Sequence, residues 1–316
     1  MDTKNDPPLD GIAVRGRGLI KRFSDLTAVD SVNIDVYSGE FFGLLGPNGA
    51  GKTSTMRMLS CISRPTGGEL SVLGRNPRRD AAKIRARLGI VHQENNLDID
   101  LTALENLTTY ARYFGYPKPE ARRRGREMLH FAQLDEKADS RADELSGGMQ
   151  RRLAIARGLV NSPALVFLDE PTSGLDPQMR HIVWQRLLEL KQQRTTMVLT
   201  THYMDEAEQL CDRIVIMDRG RIVAEGTPQM LIKEHAGQEV VELWFPDNPT
   251  EETTLLISGV AEQFDILPDR LILYVPDGKA AVTEVHRRGL SPARVTVRRS
   301  TLEDVFLRLT GRTLAE

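Results

Sequence analysis

At 316 residues, with 40% hydrophobic and 27% charged side chains, the chain is ordinary globular material with room for one large domain and a smaller one. A net charge of −2 gives no general reason to expect nucleic acid as a partner, and no apolar run approaches the roughly 18 residues of a membrane-spanning helix. The two cysteines, Cys61 and Cys211, are far apart without C-x-x-C spacing and read as buried, inert thiols of a reducing cytosol.

Residues 1–10, with paired prolines and no apolar signal core, read as a disordered leader. From 11 to 40 the pattern is antiparallel strand: Val32, Ile34 and Val36 alternate with polar residues, and Ser38-Gly39-Glu40 makes a turn. Phe23 within this stretch reads, by itself, as a core or edge aromatic. Phe41 to Leu45 is a short apolar run of buried-strand type. It leads into Gly46, Pro47, Asn48, Gly49, Ala50, Gly51, Lys52 and Thr53, which fit G-x-x-x-x-G-K-[ST], the phosphate-cradling P-loop. Ser54 to Leu59 carries no Gly or Pro and continues as a helix, completing the strand–loop–helix context that the motif requires. The glycines let backbone N–H groups turn inward toward phosphate oxygens at the positive end of a helix. Lys52 is then placed to reach the β- and γ-phosphates, and the Thr53 hydroxyl to ligate Mg²⁺.

A short strand over Glu69–Leu73 and a buried strand over Leu88–Val91 follow, the second ending at His92-Gln93. From Leu101 to about Arg157 the pattern is helical, with Pro117 and Pro119 separating two helices. The basic run Arg122-Arg123-Arg124-Gly125-Arg126 reads as a solvated helix face. Leu145-Ser146-Gly147-Gly148-Met149-Gln150 opens another helix, with Ser146 as N-cap and one apolar face formed by Met149, Leu153, Ala156 and Val160. A Ser-Gly-Gly cap also leaves N–H groups open to a phosphate.

Leu165–Leu168 is a buried strand that delivers Asp169 and Glu170 to its carboxyl end, where ligands of open α/β sheets bind. Two adjacent carboxylates there need a cation, which nucleotide-bound Mg²⁺ supplies. Pro177 starts a long helix to about Gln193. The strand Met197–Thr200 ends at Thr201-His202, so His202 joins the P-loop and the acidic pair at neighbouring strand ends. Arg213–Met217 and Arg221–Ala224 make a hairpin, and Thr227-Pro228 starts a helix ending near Gly237. After Gly237 the pattern restarts. Strand-like stretches at Val240–Phe245, near Val260–Ile266, at Leu271–Val275 and at Ala293–Val297 alternate with helical ones near 249–257 and 278–288, the β-α-β-β-α-β order of split βαβ domains. A last helix follows, with Ser300 and Glu303 as a capping box. This segment, 238–316, carries 9 Lys/Arg against 13 Asp/Glu and is no basic nucleic-acid arm.

With these residues in order, the chain resembles the ATP-binding cassette (ABC) transporter ATPases over residues 11 to about 235. Phe23, the P-loop, Gln93, Leu-Ser-Gly-Gly-Met-Gln, Leu-Val-Phe-Leu-Asp-Glu and His202 occur in the expected sequence, and the fourth is absent from other P-loop NTPases. The one departure, Phe23 where Tyr is usual, keeps the flat π-face that adenine stacking needs. The resemblance implies an α/β P-loop cassette with a mixed sheet core, an antiparallel β subdomain and an α-helical subdomain at about 94–158. Together these make an ATP-binding domain at 11–237, followed by a small α+β accessory domain at 238–316.

The resemblance also implies a head-to-tail homodimer sandwiching two ATP molecules. Phe23, the P-loop through Ser54, and Ser146, Gly147, Gly148, Gln150 and Asp176 would contact nucleotide, the Ser-Gly-Gly cap coming from the opposite subunit. Thr53, Gln93 and Asp169 would hold Mg²⁺. Glu170 would act as general base with Lys52, Gln93 and His202 beside it, and Asp176 would bridge the subunits. A transmembrane permease would dock near Tyr110, Tyr113 and Phe114, at the cytoplasmic face of the membrane. Asn96-Leu-Asp-Ile-Asp-Leu-Thr, Arg112-Tyr-Phe-Gly, the stretch from Thr200 to Arg213 and Ser300-Thr-Leu-Glu-Asp-Val-Phe306 are similar to cassettes that export lipo-oligosaccharides or anthracyclines. A ribosome-acting cassette would carry two P-loops, and this chain has one; a purely regulatory cassette would not keep every motif position filled.

Overall fold

A computed structural model describes residues 11–245, 256–261, 263–267 and 269–310. The expected leader at 1–10 lies outside these residues, as does nearly all of the helix expected near 249–257. The chain divides between Val223 and Ala224 into two compact units.

The first unit runs through β1 (Ile12–Phe23), β2 (Leu26–Tyr37), β3 (Phe41–Leu45), α1 (Lys52–Leu59), β4 (Gly67–Val72), α2 (Pro77–Arg85) and β5 (Leu88–Val91). It continues with α3 (Ala103–Tyr113), α4 (Lys118–Phe131), α5 (Gly147–Leu159), β6 (Leu165–Asp169) and α6 (Pro177–Gln192). Then come β7 (Thr196–Thr201), α7 (Met204–Leu210) and β8 (Arg213–Asp218), with β9 (Arg221–Gly226) crossing the boundary. The expected mixed architecture is present. β2-β1-β4 form an antiparallel sheet, and a six-stranded sheet runs β5-β6-β7-β3-β8-β9, parallel from β5 to β8.

Because helices cover parallel sheets, their strands are continuous apolar runs: every residue of β3, β6 and β7 is buried. Val14, Val32, Ile34 and Val36 of the antiparallel sheet share one core with Phe42, Leu44, Phe167 and Val198 of the large sheet, and Met56, Met58 and Leu59 of α1 belong to it. A separate core joins Leu104 and Leu107 of α3, Leu129 of α4, and Leu153 and Ala156 of α5, which makes the helical segment a subdomain with its own packing. Pro117 caps α4, while Pro119 sits inside its first turn, where a missing N–H costs nothing. The β8–β9 connection places Arg219 (φ 47°) and Gly220 (φ 79°) in the left-handed region, as a type I′ hairpin turn demands.

Two helices escaped the sequence reading. α2 carries one buried side chain, Ile84, and α7 is only seven residues long, so neither shows a sustained apolar period.

The second unit contains α8 (Pro228–His235), β10 (Glu239–Trp244), β11 (Gln263–Ile266), β12 (Arg270–Val275), α9 (Gly278–Arg287), β13 (Arg294–Arg299) and α10 (Leu302–Thr310). Its sheet runs β11-β12-β10-β13, all antiparallel, and Val241, Leu243, Leu271 and Leu273 pack under Val285 of α9. One expectation is corrected here. The cap of α10 is Thr301 with Asp304, whose carboxylate accepts from Thr301 N (2.8 Å) and Oγ1 (3.0 Å). Ser300 instead donates to Ala236 O at 2.9 Å, one residue too early to cap.

Candidate functional site

Four neighbouring parallel strands, β5, β6, β7 and β3, release at their carboxyl ends the segments carrying Gln93, Asp169-Glu170, His202 and the P-loop. The register aligns them: Asp169 pairs with Thr200, and Leu45 with Thr201. The P-loop needs glycine for steric reasons. At Gly46 (φ 153°) a Cβ would stand 2.3 Å from Met217 O, and at Gly51 (φ 99°) 2.4 Å from Ala28 O. The loop turns at Pro47–Ala50 (Ala50 N to Pro47 O, 3.2 Å), leaving Asn48 and Gly49 exposed, and α1 opens at Lys52. Thr53 and Ser54 are half-buried in its first turn.

Lys52 donates to Gly46 O at 2.7 Å and Pro47 O at 3.0 Å, and its ammonium lies 4.0 Å from Glu170 Oε1. Burial pushes the Lys52 amine below its ordinary pKa, opposed by the negative charges of Glu170 and Asp169. Glu170 is the meeting point of the site. Gln93 Nε2 donates to its Oε2 at 3.3 Å, and His202 Nδ1 lies 3.3 Å from the same oxygen without hydrogen-bond geometry. Its backbone sits at φ 44°, a left-handed conformation that costs a non-glycine residue on the order of 1 kcal/mol. The cost is offset by Glu170 N, which donates to both Thr200 O and Thr200 Oγ1. Thr200 Oγ1 in turn donates to Asp169 Oδ1 at 2.5 Å, so one threonine holds the Asp169 carboxylate and the Glu170 backbone.

The residue that sequence reasoning missed is Arg151. Only 3% exposed, it donates to Pro171 O (2.6 Å), His92 O (2.6 Å) and Gln93 O (3.1 Å), and to Asp169 O (3.2 Å) and Glu170 O (3.1 Å). It thereby ties α5 to the loops carrying Gln93 and Glu170. Burial lowers its pKa to about 10, so it stays charged at neutral pH. No local signal singled it out, since it lies off the apolar face of Met149, Leu153, Ala156 and Val160. Arg157, six residues further along α5, donates to Asn95 O and Asn96 O, and buried Asn106 donates to Asp98 O at 2.9 Å, so the segment after Gln93 is held from both sides.

The remaining candidates are not gathered at this point. Ser146 caps α5 through Met149 N, and Asp176 caps α6 through its own contact with Met179 N. Gly148 packs on Met179, where a Cβ would lie 2.7 Å from its sulfur, whereas a Cβ on Gly147 would meet nothing within 4 Å. Among the described residues, Ser146 makes no hydrogen bond with the P-loop. Gln150 turns inward to Ala142 O (2.9 Å) and Leu145 O (3.2 Å), where it shapes the loop before Ser146. Phe23 ends β1 half exposed, with the Lys21 ammonium 4.9 Å from its ring centroid.

The donor set fits a nucleotide triphosphate with a hard divalent cation. Gly46 and Gly51 allow the backbone course that turns the loop's N–H groups toward a phosphate, Lys52 supplies charge, and Thr53, Gln93 and Asp169 offer the oxygen ligands that Mg²⁺ prefers. No helix among the described residues is long and apolar enough to cross a membrane.

The family model for ABC transporters matches residues 29–173. The Nod factor export ATP-binding protein I of Ralstonia nicotianae is 43% identical over 320 residues, covering 98% of each chain. That of Burkholderia pseudomallei is 46% identical over 298 residues, 94% of this chain and 96% of the relative. Among solved structures, an ATP-binding cassette captured as a post-hydrolysis dimer with ADP and Pi superposes with a TM-score of 0.63 at 31% identity. It covers 68% of this chain and 98% of that one. The cbiO1 protein of Clostridium perfringens, part of an ABC transporter complex, gives 0.66 at 28% identity, covering 71% and 92%.

Proposed function

Because the chain belongs to the ABC transporter family and is one of its ATP-binding, ATP-hydrolysing subunits, we propose that it powers export of a lipidic, glycolipid or drug-like substrate. A separate membrane permease, against whose cytoplasmic face it sits, would carry that substrate. The export reading rests on relatives named for Nod factor export. In this reading the ATPase domain, expected at 11–237 from the sequence, ends with β9, and the accessory domain, expected at 238–316, begins with α8.

The observation that carries the mechanism is the convergence of Lys52, Gln93 and His202 on the Glu170 carboxylate. Lys52 neutralises phosphate charge, and Thr53, Gln93 and Asp169 would hold Mg²⁺, whose charge would shield the phosphates. Phe23 stacks on the base. Glu170 takes a proton from the attacking water, and His202 orients the Glu170 carboxylate and the γ-phosphate. Ser146 and Gly147, exposed at the start of α5, complete the site of a second copy in a head-to-tail dimer, with Asp176 at the junction. The dimer closes on ATP and reopens after hydrolysis, a two-state stroke delivered to the permease.

The test is Glu170→Gln, which keeps size and hydrogen bonding but takes no proton. Hydrolysis should fall on the order of 10²-fold or more, ATP binding should persist, and a closed dimer should accumulate on size exclusion with ATP. Hydrolysis near the wild-type rate would remove Glu170 from its role.

A further inference from the structure

Away from the P-loop, the first unit carries a cavity of about 700 Å³ lined by five arginines, Arg15, Arg17, Arg64, Arg78 and Arg85, against a single acid, Glu69. The concentration is local, because the whole chain has a net charge of −2. It follows from the fold. Arg15 and Arg17 are two apart on β1 and therefore share one face, opposite Ser71 and Glu69 of β4. The segment after α1 brings Cys61 to Pro65 to the same place, and α2 opens there at Pro77-Arg78. Three of the arginines are anchored. Arg17 is bidentate to Asp35 (2.9 and 2.7 Å), Arg15 lies 3.7 Å from the same carboxylate, and Arg85 donates to Cys61 O at 3.1 Å. The guanidinium groups of Arg64 and Arg78 are exposed and make no ion pair or hydrogen bond among the described residues. Beside them Ile62 is 48% exposed, an apolar side chain on a basic rim.

We infer that this cavity binds a phosphate-bearing anion and that the anion is the headgroup of an anionic phospholipid. Guanidinium forks match phosphate oxygens in pairs, and unpaired ones in a concave wall are set to do so without first breaking an ion pair. The exposed Ile62 favours the lipid source, since a bilayer surface covers an apolar side chain that a soluble phosphate ester leaves in water. None of the nucleotide-site candidates lines the cavity. The site is therefore distinct from the P-loop, although α1 runs from one to the other.

Flotation of the full-length protein, kept saturated with ADP, on phosphatidylcholine vesicles with and without phosphatidylglycerol tests this. Wild type should float with the anionic vesicles only, and Arg64→Ala/Arg78→Ala should lower partitioning on the order of thirtyfold, with ATP hydrolysis in solution unchanged. Arg64→Lys/Arg78→Lys keeps the charge but loses the fork. It should bind clearly less well than wild type; equal binding would mean diffuse attraction and would overturn the site. In a parallel arm, glycerol 3-phosphate is titrated calorimetrically into the same ADP-saturated protein. If the ester binds with this arginine dependence while vesicles do not, the headgroup assignment fails. If neither binds in an Arg64- and Arg78-dependent way, the phosphate site itself is refuted.

Discussion

His202 Nδ1 lies 3.3 Å from Glu170 Oε2, the two residues directly following the ends of different strands, β7 and β6. That proximity is set by the sheet register, which pairs Asp169 with Thr200, and by the left-handed backbone that turns Glu170 back over the strand end. His202→Ala should therefore leave nucleotide affinity within about threefold while lowering kcat on the order of 10²-fold, because it removes the group that orients the base and the γ-phosphate for the chemical step. Nucleotide titration and steady-state ATPase assays on the same preparation separate the two effects. A loss confined to KM would place His202 in ground-state binding instead.

Arg151 is expected to be a stability determinant as well as a positioning residue. Its guanidinium satisfies carbonyls of two separate segments, 92–93 and 169–171, in a buried place, and hydrogen bonds to charged groups contribute about 1.5–3 kcal/mol each. Arg151→Met should cost about 3 kcal/mol or more, lowering Tm by roughly 6–12 °C for a domain of this size. Arg151→Lys should recover little, since one ammonium cannot span the distance between the His92 and Pro171 carbonyls. Calorimetry with and without ATP checks both. A full rescue by lysine would show that charge alone matters.

The motif residues were legible in the sequence because their chemistry restricts residue type: a phosphate cradle needs glycine, and a metal-bearing strand end needs carboxylates. Strands β3, β6 and β7 were legible from their short apolar stretches Phe41–Leu45, Leu165–Leu168 and Met197–Leu199. What was not legible depends on distant partners. Nothing local marks Arg151 as the clamp of the loops after Gln93 and Glu170, because its acceptors lie 18 to 59 positions away in the chain. Gln150 read as a ligand contact from its place in the motif, yet its amide is spent on Ala142 and Leu145. The cap at Thr301 was misplaced by one residue because Ser300 and Thr301 are both good caps, and only the pairing of Ser300 with Ala236 decides between them.

Glu206 gives a pH prediction. Fully buried on α7, it accepts from Thr172 Oγ1 at 2.7 Å and Trp184 Nε1 at 3.2 Å, while its Oε2 has no partner. Burial raises its carboxyl above the ordinary value of 4.5, with the hydrogen bonds from Thr172 and Trp184 acting in the opposite direction. A carboxyl whose folded pKa exceeds its unfolded one contributes fully below the unfolded value. That contribution is lost as pH rises toward the folded value. Glu206→Gln carries no such loss. The variant's Tm should gain on wild type as pH increases from 4.5 and then level off. Glu206→Ala, which strands two buried donors, should lose about 1–3 kcal/mol. A Tm difference between Glu206→Gln and wild type that is flat across this range would contradict the raised pKa.

The second unit supplies the last prediction, about where the ATPase domain can be cut. Every nucleotide-site candidate precedes Gly226, the end of β9. Helix α8 comes after it and is bound to the second unit. Leu231 and Ala236 are buried, Ser300 donates to Ala236 O and, through its backbone, to Gln238 O at 3.3 Å, and Arg308 donates to His235 O. A chain ending at Gly237 would keep α8 but remove Ser300 and Arg308, which satisfy its last carbonyls, exposing Leu231 and leaving those carbonyls without a partner. A chain ending at Gly226 would leave no such orphan. The shorter piece should therefore be the more soluble of the two and should bind ATP with near wild-type affinity, while the longer one aggregates. Light scattering and nucleotide titration on both pieces decide the matter. If the 1–237 piece is monodisperse and the 1–226 piece is not, then α8 stabilises the first unit and the ATPase domain extends through it.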